Sequence, residues 1–322
     1  MKKILSGFLA IMLALTLTAC GSEKHELKIG QAMYAAHGTK CFALATAVVE
    51  DGTIVAAYID EYQYLGKDDV TGVPNSDQGL GEYVVEDRVL ASKRENSEFY
   101  TQAMGVATQD YAISLDGIQD YVAGKTITEL KELVAKTPEE VVDAVSGATL
   151  TDTTGYISAI IEAATAAQAN NAVTYEGDLE SLTLKYGTGI AHGSKCFTEA
   201  AVLVDGETVV LAYIDELQFL SVDLVSVPNA ENVMDYVADQ TKALASKRQN
   251  SEFYTEAMKE AGATQNVAVS YDAIQAHVAG KTIAELNELA GKTAEEAIDA
   301  VAGATLADTV NYVKVIAVIA GI

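Results

Sequence analysis

The feature that most constrains this chain is a long internal repeat. The segment His37–Phe42 returns as His192–Phe197, and later segments return in the same order. The further matched pairs are Tyr58–Glu61 with Tyr213–Glu216, Val73–Asn75 with Val227–Asn229, Ala91–Arg94 with Ala245–Arg248, Asn96–Thr101 with Asn250–Thr255, and Val122–Ile127 with Val278–Ile283. The period is far longer than that of a solenoid repeat, so it predicts two homologous domains. We place them at residues 27–167 and 177–322, joined by a linker at residues 168–176.

Each copy has the pattern of an α+β domain. Two apolar, strand-like runs at Ala43–Val49 and Ile54–Tyr62 are joined by Asp51-Gly52, which is typical of a β-hairpin turn, and the second copy keeps Asp205-Gly206. Helical spacing of apolar residues predicts the rest of the domain. The predicted helices are Tyr83–Met104, Leu115–Ala123, Thr128–Ala135, Pro138–Val145 with Thr137 as its cap, and a final helix that starts near Asp152.

The first residues have the pattern of a secretory signal. Lys2 and Lys3 precede a short apolar run, Ile4–Leu17, which is too short for a membrane-spanning helix. The small residues before Cys20 are similar to a bacterial lipoprotein cleavage site. We therefore predict a signal peptide at residues 1–19, a lipidated Cys20, a tether at residues 20–26, and a protein held by its lipid anchor on the extracellular face of the cell membrane. The alternative is an ordinary signal peptide with a chance cysteine.

Charge and cysteine content exclude several classes of function. The formal net charge of −25 disfavours binding to nucleic acid or to anionic lipid headgroups. The three cysteines, Cys20, Cys41 and Cys196, form no Cys-x-x-Cys pair, so iron–sulfur, structural zinc and c-type haem sites lack their ligands. We predict no metal site, and we expect Cys41 and Cys196 to be buried small residues. Electron chemistry would need an organic cofactor.

A short motif precedes the final helix of each copy. It reads Asp-x-x-Ser-Gly-Ala-Thr in the first copy, and the second copy has Ala302 in place of the serine. The motif resembles that of the FMN-binding domain family found in bacterial sodium-pumping and Rnf-type electron transport complexes. The resemblance implies that an ApbE-type flavin transferase attaches FMN by a phosphoester to the last threonine. The implied cofactor-binding residues are Asp143, Ser146, Gly147, Ala148 and Thr149, and Asp299, Ala302, Gly303, Ala304 and Thr305.

The local chemistry suits such an attachment. A threonine hydroxyl can form the ester, and Gly147 and Ala148 leave room for a phosphate and a modifying enzyme. Asp152 and Asp308 are expected to cap the next helix, whose N-terminus favours a nearby phosphate. The alternative is that Gly147 ends one helix and that Thr149 or Thr151 caps the next, with no cofactor.

Two further repeated clusters are candidates for a role near the flavin. In His37-Gly38-x-Lys40 and His192-Gly193-x-Lys195, the histidine or the lysine could hold the phosphate or tune the flavin ring, or they could be a turn histidine and a solvated lysine. The clusters Ser92–Arg94 and Ser246–Arg248 could meet a phosphate or an acidic partner. A solvated helix face is the favoured interpretation of these basic clusters.

The tandem arrangement also resembles the flavinylated lipoproteins of extracellular electron transfer in Gram-positive bacteria. That resemblance implies two covalent FMN groups that pass electrons from a membrane, quinol-linked donor to external small-molecule acceptors such as ferric iron or free flavins. We expect Gln168–Ala172 to be flexible, so that the second domain can reach outward. The alternatives are a flavin-dependent extracellular reductase, and a cofactor-free binding or signalling lipoprotein such as a pheromone precursor.

Overall fold

A computed structural model describes residues 23–105 and 107–322 of the chain. The predicted signal peptide and the predicted lipidation site, Cys20, lie outside the described residues. Within the described ranges, no helix has both the length and the apolar character needed to cross a membrane.

The described residues form an α+β structure, as the sequence predicts. The first half contains β1 (His25–Tyr34), β2 (Cys41–Glu50), β3 (Thr53–Gly66), β4 (Arg88–Ser92), α1 (Ser97–Met104), α2 (Tyr111–Val122), α3 (Ile127–Val134), α4 (Pro138–Ala144) and α5 (Thr153–Ala169). After β5 (Val173–Tyr175), the second half contains β6 (Leu182–Gly189), β7 (Cys196–Asp205), β8 (Thr208–Ser221), β9 (Lys242–Ser246), α6 (Ser251–Ala257), α7 (Val267–Val278), α8 (Ile283–Ala290), α9 (Ala294–Ala300) and α10 (Thr309–Gly321). Thr137 caps α4 in a capping box with Glu140.

The strands form two antiparallel sheets, one in each half. Their orders are β4-β3-β2-β1-β5 and β6-β7-β8-β9. The middle strand β2 is buried on both faces, and its residues alternate between two cores. Ala43, Ala45 and Ala47 face the helices of their own half, whereas Phe42 and Leu44 pack with residues of the second sheet. The two sheets therefore pack face to face, with the helices of each half on the outside.

The small side chains on the helix-facing side let α5 approach its sheet closely. A Cβ atom added at Gly30 on β1 would lie 2.3 Å from the backbone nitrogen of Ala167. Glycine is required there by space rather than by backbone conformation. At the start of the helix, a Cβ atom added at Gly155 would lie 2.0 Å from the carbonyl oxygen of Ala36, so close packing also fixes the part of α5 that follows the predicted attachment motif.

The predicted linker, residues 168–176, contains regular secondary structure and begins with the last two residues of α5. Residues 173–175 form β5, which pairs with β1 and so joins the edge of the first sheet. Asn170 adds a hydrogen bond from its side-chain amide to the carbonyl oxygen of Ile29, at 2.7 Å. Together with the shared core between the sheets, this pairing corrects the expectation of two freely moving domains.

One predicted helix is partly wrong. Residues 88–92 of the predicted helix Tyr83–Met104 form β4, which pairs with β3 through Leu90 and Tyr64, and helix α1 begins only at Ser97. The apolar run Val89-Leu90-Ala91 is too short for its periodicity to separate a strand from a helix. The sequence pattern also does not predict strand β1, because its apolar residues do not alternate cleanly with polar ones.

Candidate functional site

The attachment motif forms a tight turn between two helices in each half. Gly147 has φ +93° and Gly303 has φ +91°, a backbone conformation that favours glycine. A side-chain amide holds each turn: Gln109 Nε2 donates to the Gly147 carbonyl at 2.6 Å, and Gln265 Nε2 donates to the Gly303 carbonyl at 2.5 Å. The exposed Ser146 and Ala302 therefore occupy turns of the same backbone shape.

Both predicted attachment threonines are exposed. The Thr149 hydroxyl lies 3.2 Å from Ser114 Oγ on α2, and the Thr305 hydroxyl lies 3.4 Å from Ser270 Oγ on α7. The residue at the N-cap of α5 is Asp152 rather than Thr149 or Thr151. The threonine hydroxyl is thus not used to cap the helix, as the cofactor-free alternative would require.

The aspartates expected to cap the final helices have a different role. Asp152 and Asp308 occupy the N-cap positions, but their side chains accept no capping hydrogen bond from the backbone amides of the helix. Instead, Asp152 Oδ2 lies 2.7 Å from His37 Nδ1, and Asp308 Oδ2 lies 2.7 Å from His192 Nδ1. The structure therefore brings the histidine of the His-Gly-x-Lys segment to the attachment loop in both halves.

The remaining predicted site residues are more dispersed. Asp143 and Asp299 are exposed on α4 and α9, whereas Ala148 and Ala304 are buried beneath the turn. Lys40 and Lys195 are exposed, and the stem of Lys195 lies against Gly79 of the other half. The structure does not place these two lysines beside the threonines.

A cavity of about 240 Å³ opens beside Thr305 in the second half. Thr305, Asp308 and His192 line it, together with a cation and several aromatic or apolar side chains: Lys247, Tyr254, Met258, Tyr271 and Tyr312. A partly open cleft with aromatic walls and few polar groups has the character of a small-molecule site.

A buried ion pair lies below the candidate site of each half. Lys247 Nζ lies 2.6 Å from Glu216 Oε2, and Lys93 Nζ lies 2.5 Å from Glu61 Oε2. Both lysines are at most 1 % exposed. The prediction of a solvated helix face for Ser92–Arg94 and Ser246–Arg248 is therefore wrong, because the first two residues of each cluster turn inward at the end of β4 or β9.

Electrostatics keep these lysines charged. Burial alone would lower the pKa of each ammonium, but the adjacent carboxylate and its hydrogen bond outweigh that cost, so the pKa of Lys93 and of Lys247 is raised. The partner acids, Glu61 and Glu216, were not predicted as site residues. A signal was present, since the repeated Tyr-Ile-Asp-Glu segment places two acids inside an apolar strand in both copies.

Phenol groups complete this polar network. Tyr156 donates to Glu61 Oε2 at 3.0 Å and Tyr111 donates to the same oxygen at 3.4 Å, while Tyr271 donates to Glu216 Oε2 at 3.3 Å. Lys93 also donates to the Tyr100 hydroxyl at 2.8 Å. The network holds an ammonium against a carboxylate of opposite charge, with hydrogen-bonding phenols around the pair.

Neither buried cysteine contributes reactive chemistry. Burial raises the pKa of Cys41 and of Cys196 to about 12, so both remain thiols at neutral pH. Each thiol donates to the carbonyl oxygen of the histidine four residues earlier, at 2.8 Å. The prediction that these cysteines are buried and unpaired is confirmed.

Within residues 23–105 and 107–322, no group of three or more His, Cys, Asp or Glu side chains is arranged to hold a metal ion. The chain shows no significant similarity to a family model, to a curated protein or to a solved structure.

Proposed function

We propose that each half carries one FMN, joined by a phosphoester to Thr149 or Thr305 by an ApbE-type flavin transferase. One observation carries the proposal: the exposed residue Thr305 lines a cavity with aromatic walls that a buried lysine, Lys247, also lines. The first half repeats the exposed threonine, the His–Asp pair and the buried lysine.

The residues present fit the phosphate end of such a group. Gly303 has no side chain to obstruct a modifying enzyme, and Thr305 is exposed on a turn fixed by Gln265. Helix α10 begins four residues later, and its cap residue turns its carboxylate to His192 rather than to the helix amides. The positive end of the helix dipole is therefore not neutralised by that carboxylate through a capping hydrogen bond.

The residues also fit a planar ring. Tyr254, Tyr271 and Met258 give the cavity apolar and aromatic walls, and Lys247 supplies the one buried cation among its lining residues. When bound, FMN supplies reversible electron transfer. Thr305 would hold the group, and Lys247, kept in place by Glu216, would supply an ammonium donor to the wall of the cavity.

We assign to the whole chain the function of an extracellular electron carrier. In this proposal, Cys20 anchors the protein to the outer face of the membrane, a membrane donor reduces the two flavins, and small molecules such as ferric chelates or free flavins reoxidise them. Exposure of both threonines supports this assignment, since donor and acceptor must both reach the cofactor.

Reoxidation kinetics test the proposed function. The full chain, produced together with a flavin transferase, is reduced chemically and mixed with ferric chelates or free flavin while the flavin absorbance is followed by stopped flow. We expect rapid reoxidation by several unrelated acceptors, a partial amplitude in Thr149→Ala or Thr305→Ala, and none in the double variant. Thr151→Ala is the matched control and should behave as the wild type. Saturation by one organic acceptor that yields a defined product would instead favour a substrate-specific reductase.

A further inference from the structure

In each half, the side chain of one asparagine forms hydrogen bonds with a loop of the other half. Asn75 lies between β3 and β4, and its side-chain amide donates to the carbonyl oxygens of Gly193 and Cys196, at 3.0 and 2.7 Å. Asn229 lies between β8 and β9, and its amide donates to the carbonyl oxygens of Gly38 and Cys41, at 3.2 and 2.8 Å. The exchange is reciprocal and uses the same atoms on both sides.

The backbone of both asparagines is suited to this contact. Asn75 has φ +65° and Asn229 has φ +64°, a left-handed conformation that asparagine adopts more readily than most residues. Asn75 is only 4 % exposed. A backbone hydrogen bond from Leu80 to the Ser194 carbonyl, at 2.7 Å, strengthens the contact that the first half makes with the second.

The loop that receives each asparagine carries the histidine of the candidate site. Asn75 binds the loop of residues 192–196, and His192 in this loop pairs with Asp308 and lines the cavity. The Cys196 thiol donates to the His192 carbonyl and closes the same loop. A continuous set of hydrogen bonds thus runs from Asn75 in the first half to the start of α10 in the second.

We propose that Asn75 and Asn229 are positioning residues, each of which orders the candidate site of the opposite half. Insofar as that site binds FMN, the proposal rests on the proposed function; the positioning itself does not. Each half then lacks one component of its own site, and the two sites form only as a pair. The repeat is in this respect a reciprocal assembly rather than two independent modules.

The test replaces one asparagine at a time in the full chain. Asn75→Gly keeps the left-handed backbone without strain and removes the side chain that carries the amide. We expect it to shift the ring resonances of His192 in NMR spectra and to speed hydrogen exchange of the amides in residues 193–198 roughly tenfold, since two hydrogen bonds to the loop are lost. His37 should be unchanged. Asn229→Gly is the matched variant and should affect His37 and not His192.

Flavin attachment provides a second readout. In a Thr149→Ala background, Asn75→Gly should slow attachment at Thr305, and in a Thr305→Ala background it should leave attachment at Thr149 at the wild-type rate. Asn75→Asp, which keeps the size of the side chain but faces the two carbonyls with a carboxylate, should reproduce the His192 shift if the glycine variant fails to fold.

Effects confined to the substituted half, equal effects in both halves, or no effect on either histidine would overturn the positioning role. If the wild type accepts no flavin, the proposed function fails, but the NMR comparison still decides whether the asparagines position the opposite loops.

Discussion

Each half has its own buried lysine–glutamate ion pair, but the neutral groups around the pair differ between the halves. Glu61 and Glu216 each bind a buried lysine. In the second half, the Thr198 hydroxyl donates to Glu216 Oε1 at 2.9 Å, whereas Ala43 stands at the matching position in the first half and Glu61 Oε1 has no hydrogen-bond partner among the described residues. A buried carboxylate oxygen without a hydrogen-bond partner costs free energy of folding, so the ion pair of the first half is the less well stabilised of the two.

The tyrosines that contact the buried carboxylates stand at different helix positions in the two halves. Tyr111 is the first residue of α2, whereas its counterpart at the start of α7 is Val267 and the tyrosine comes one helical turn later, as Tyr271. Both hydroxyls nevertheless reach the buried carboxylate, because residues four apart share one helix face. The halves thus retain a phenol at the carboxylate rather than a tyrosine at a fixed sequence position.

Removing the buried lysine should have the largest effect on stability. Lys93→Met and Lys247→Met each leave a buried carboxylate without its counter-charge, and breaking such a pair costs about 3–5 kcal/mol. The loss should be greater for Lys93→Met, because without the lysine Glu216 keeps a hydroxyl donor on each carboxylate oxygen, whereas both phenols of the first half donate to Oε2 of Glu61 and its Oε1 has no donor. Urea unfolding followed by circular dichroism measures both.

Neutralising the partner provides the control for these variants. Lys93→Met combined with Glu61→Gln, and Lys247→Met combined with Glu216→Gln, should recover much of the lost stability because no buried charge remains. Equal losses in the two single variants would contradict the comparison between the halves. Unchanged stability in both would show that the buried carboxylate does not need the lysine as its counter-charge.

Exchanging the hydroxyl between the halves should have an intermediate effect. Thr198→Ala removes the hydrogen bonds to Glu216 Oε1 and from the Ala191 amide, at 2.9 and 3.0 Å, and should cost about 1–2 kcal/mol. The reciprocal change, Ala43→Thr, offers Glu61 the missing donor and should stabilise the chain by a smaller amount, since its methyl group must be accommodated. Thermal or urea unfolding that finds Thr198→Ala neutral would contradict the argument.

The smallest expected effect lies at Glu199, which faces the other sheet. Its buried side chain accepts from the Tyr186 hydroxyl at 3.1 Å, and Leu44 stands at the matching position in the first half. Glu199→Leu should stabilise the chain by about 1 kcal/mol near neutral pH, because a poorly satisfied acid is removed and Tyr186 keeps Tyr62 as a partner at 3.0 Å.

The stabilisation by Glu199→Leu should also depend on pH. Burial raises the pKa of Glu199 well above its ordinary value of 4.5, so the folded state retains a proton that the unfolded state releases as pH rises above that value. The wild type therefore loses stability with rising pH at this site and the leucine variant does not. The difference in unfolding free energy should grow from pH 4.5 upwards, and a difference that shrinks would contradict the assignment.

Many of the strands, helices and turns could be predicted from the sequence, but the long-range side-chain contacts between them could not. The hairpin strands, the helices after residue 111 and the turn before α5 follow from local periodicity and capping signals, and Gly147 and Thr149 lie on an exposed turn as the motif suggests. The Lys–Glu pairs and the asparagine contacts join residues more than 30 and 100 positions apart, respectively. Periodicity reports only which residues share a face, and it carries no information about which distant face will cover them.

Site-resolved mass spectrometry of the full chain tests the central claim most directly. Protein produced together with a flavin transferase should carry two FMN groups, one on the peptide with Thr149 and one on the peptide with Thr305. Each threonine-to-alanine change should remove one FMN, and the double change should remove both, while Thr151→Ala retains both. An unmodified wild-type chain, or a double variant that still carries covalent flavin, would contradict the account.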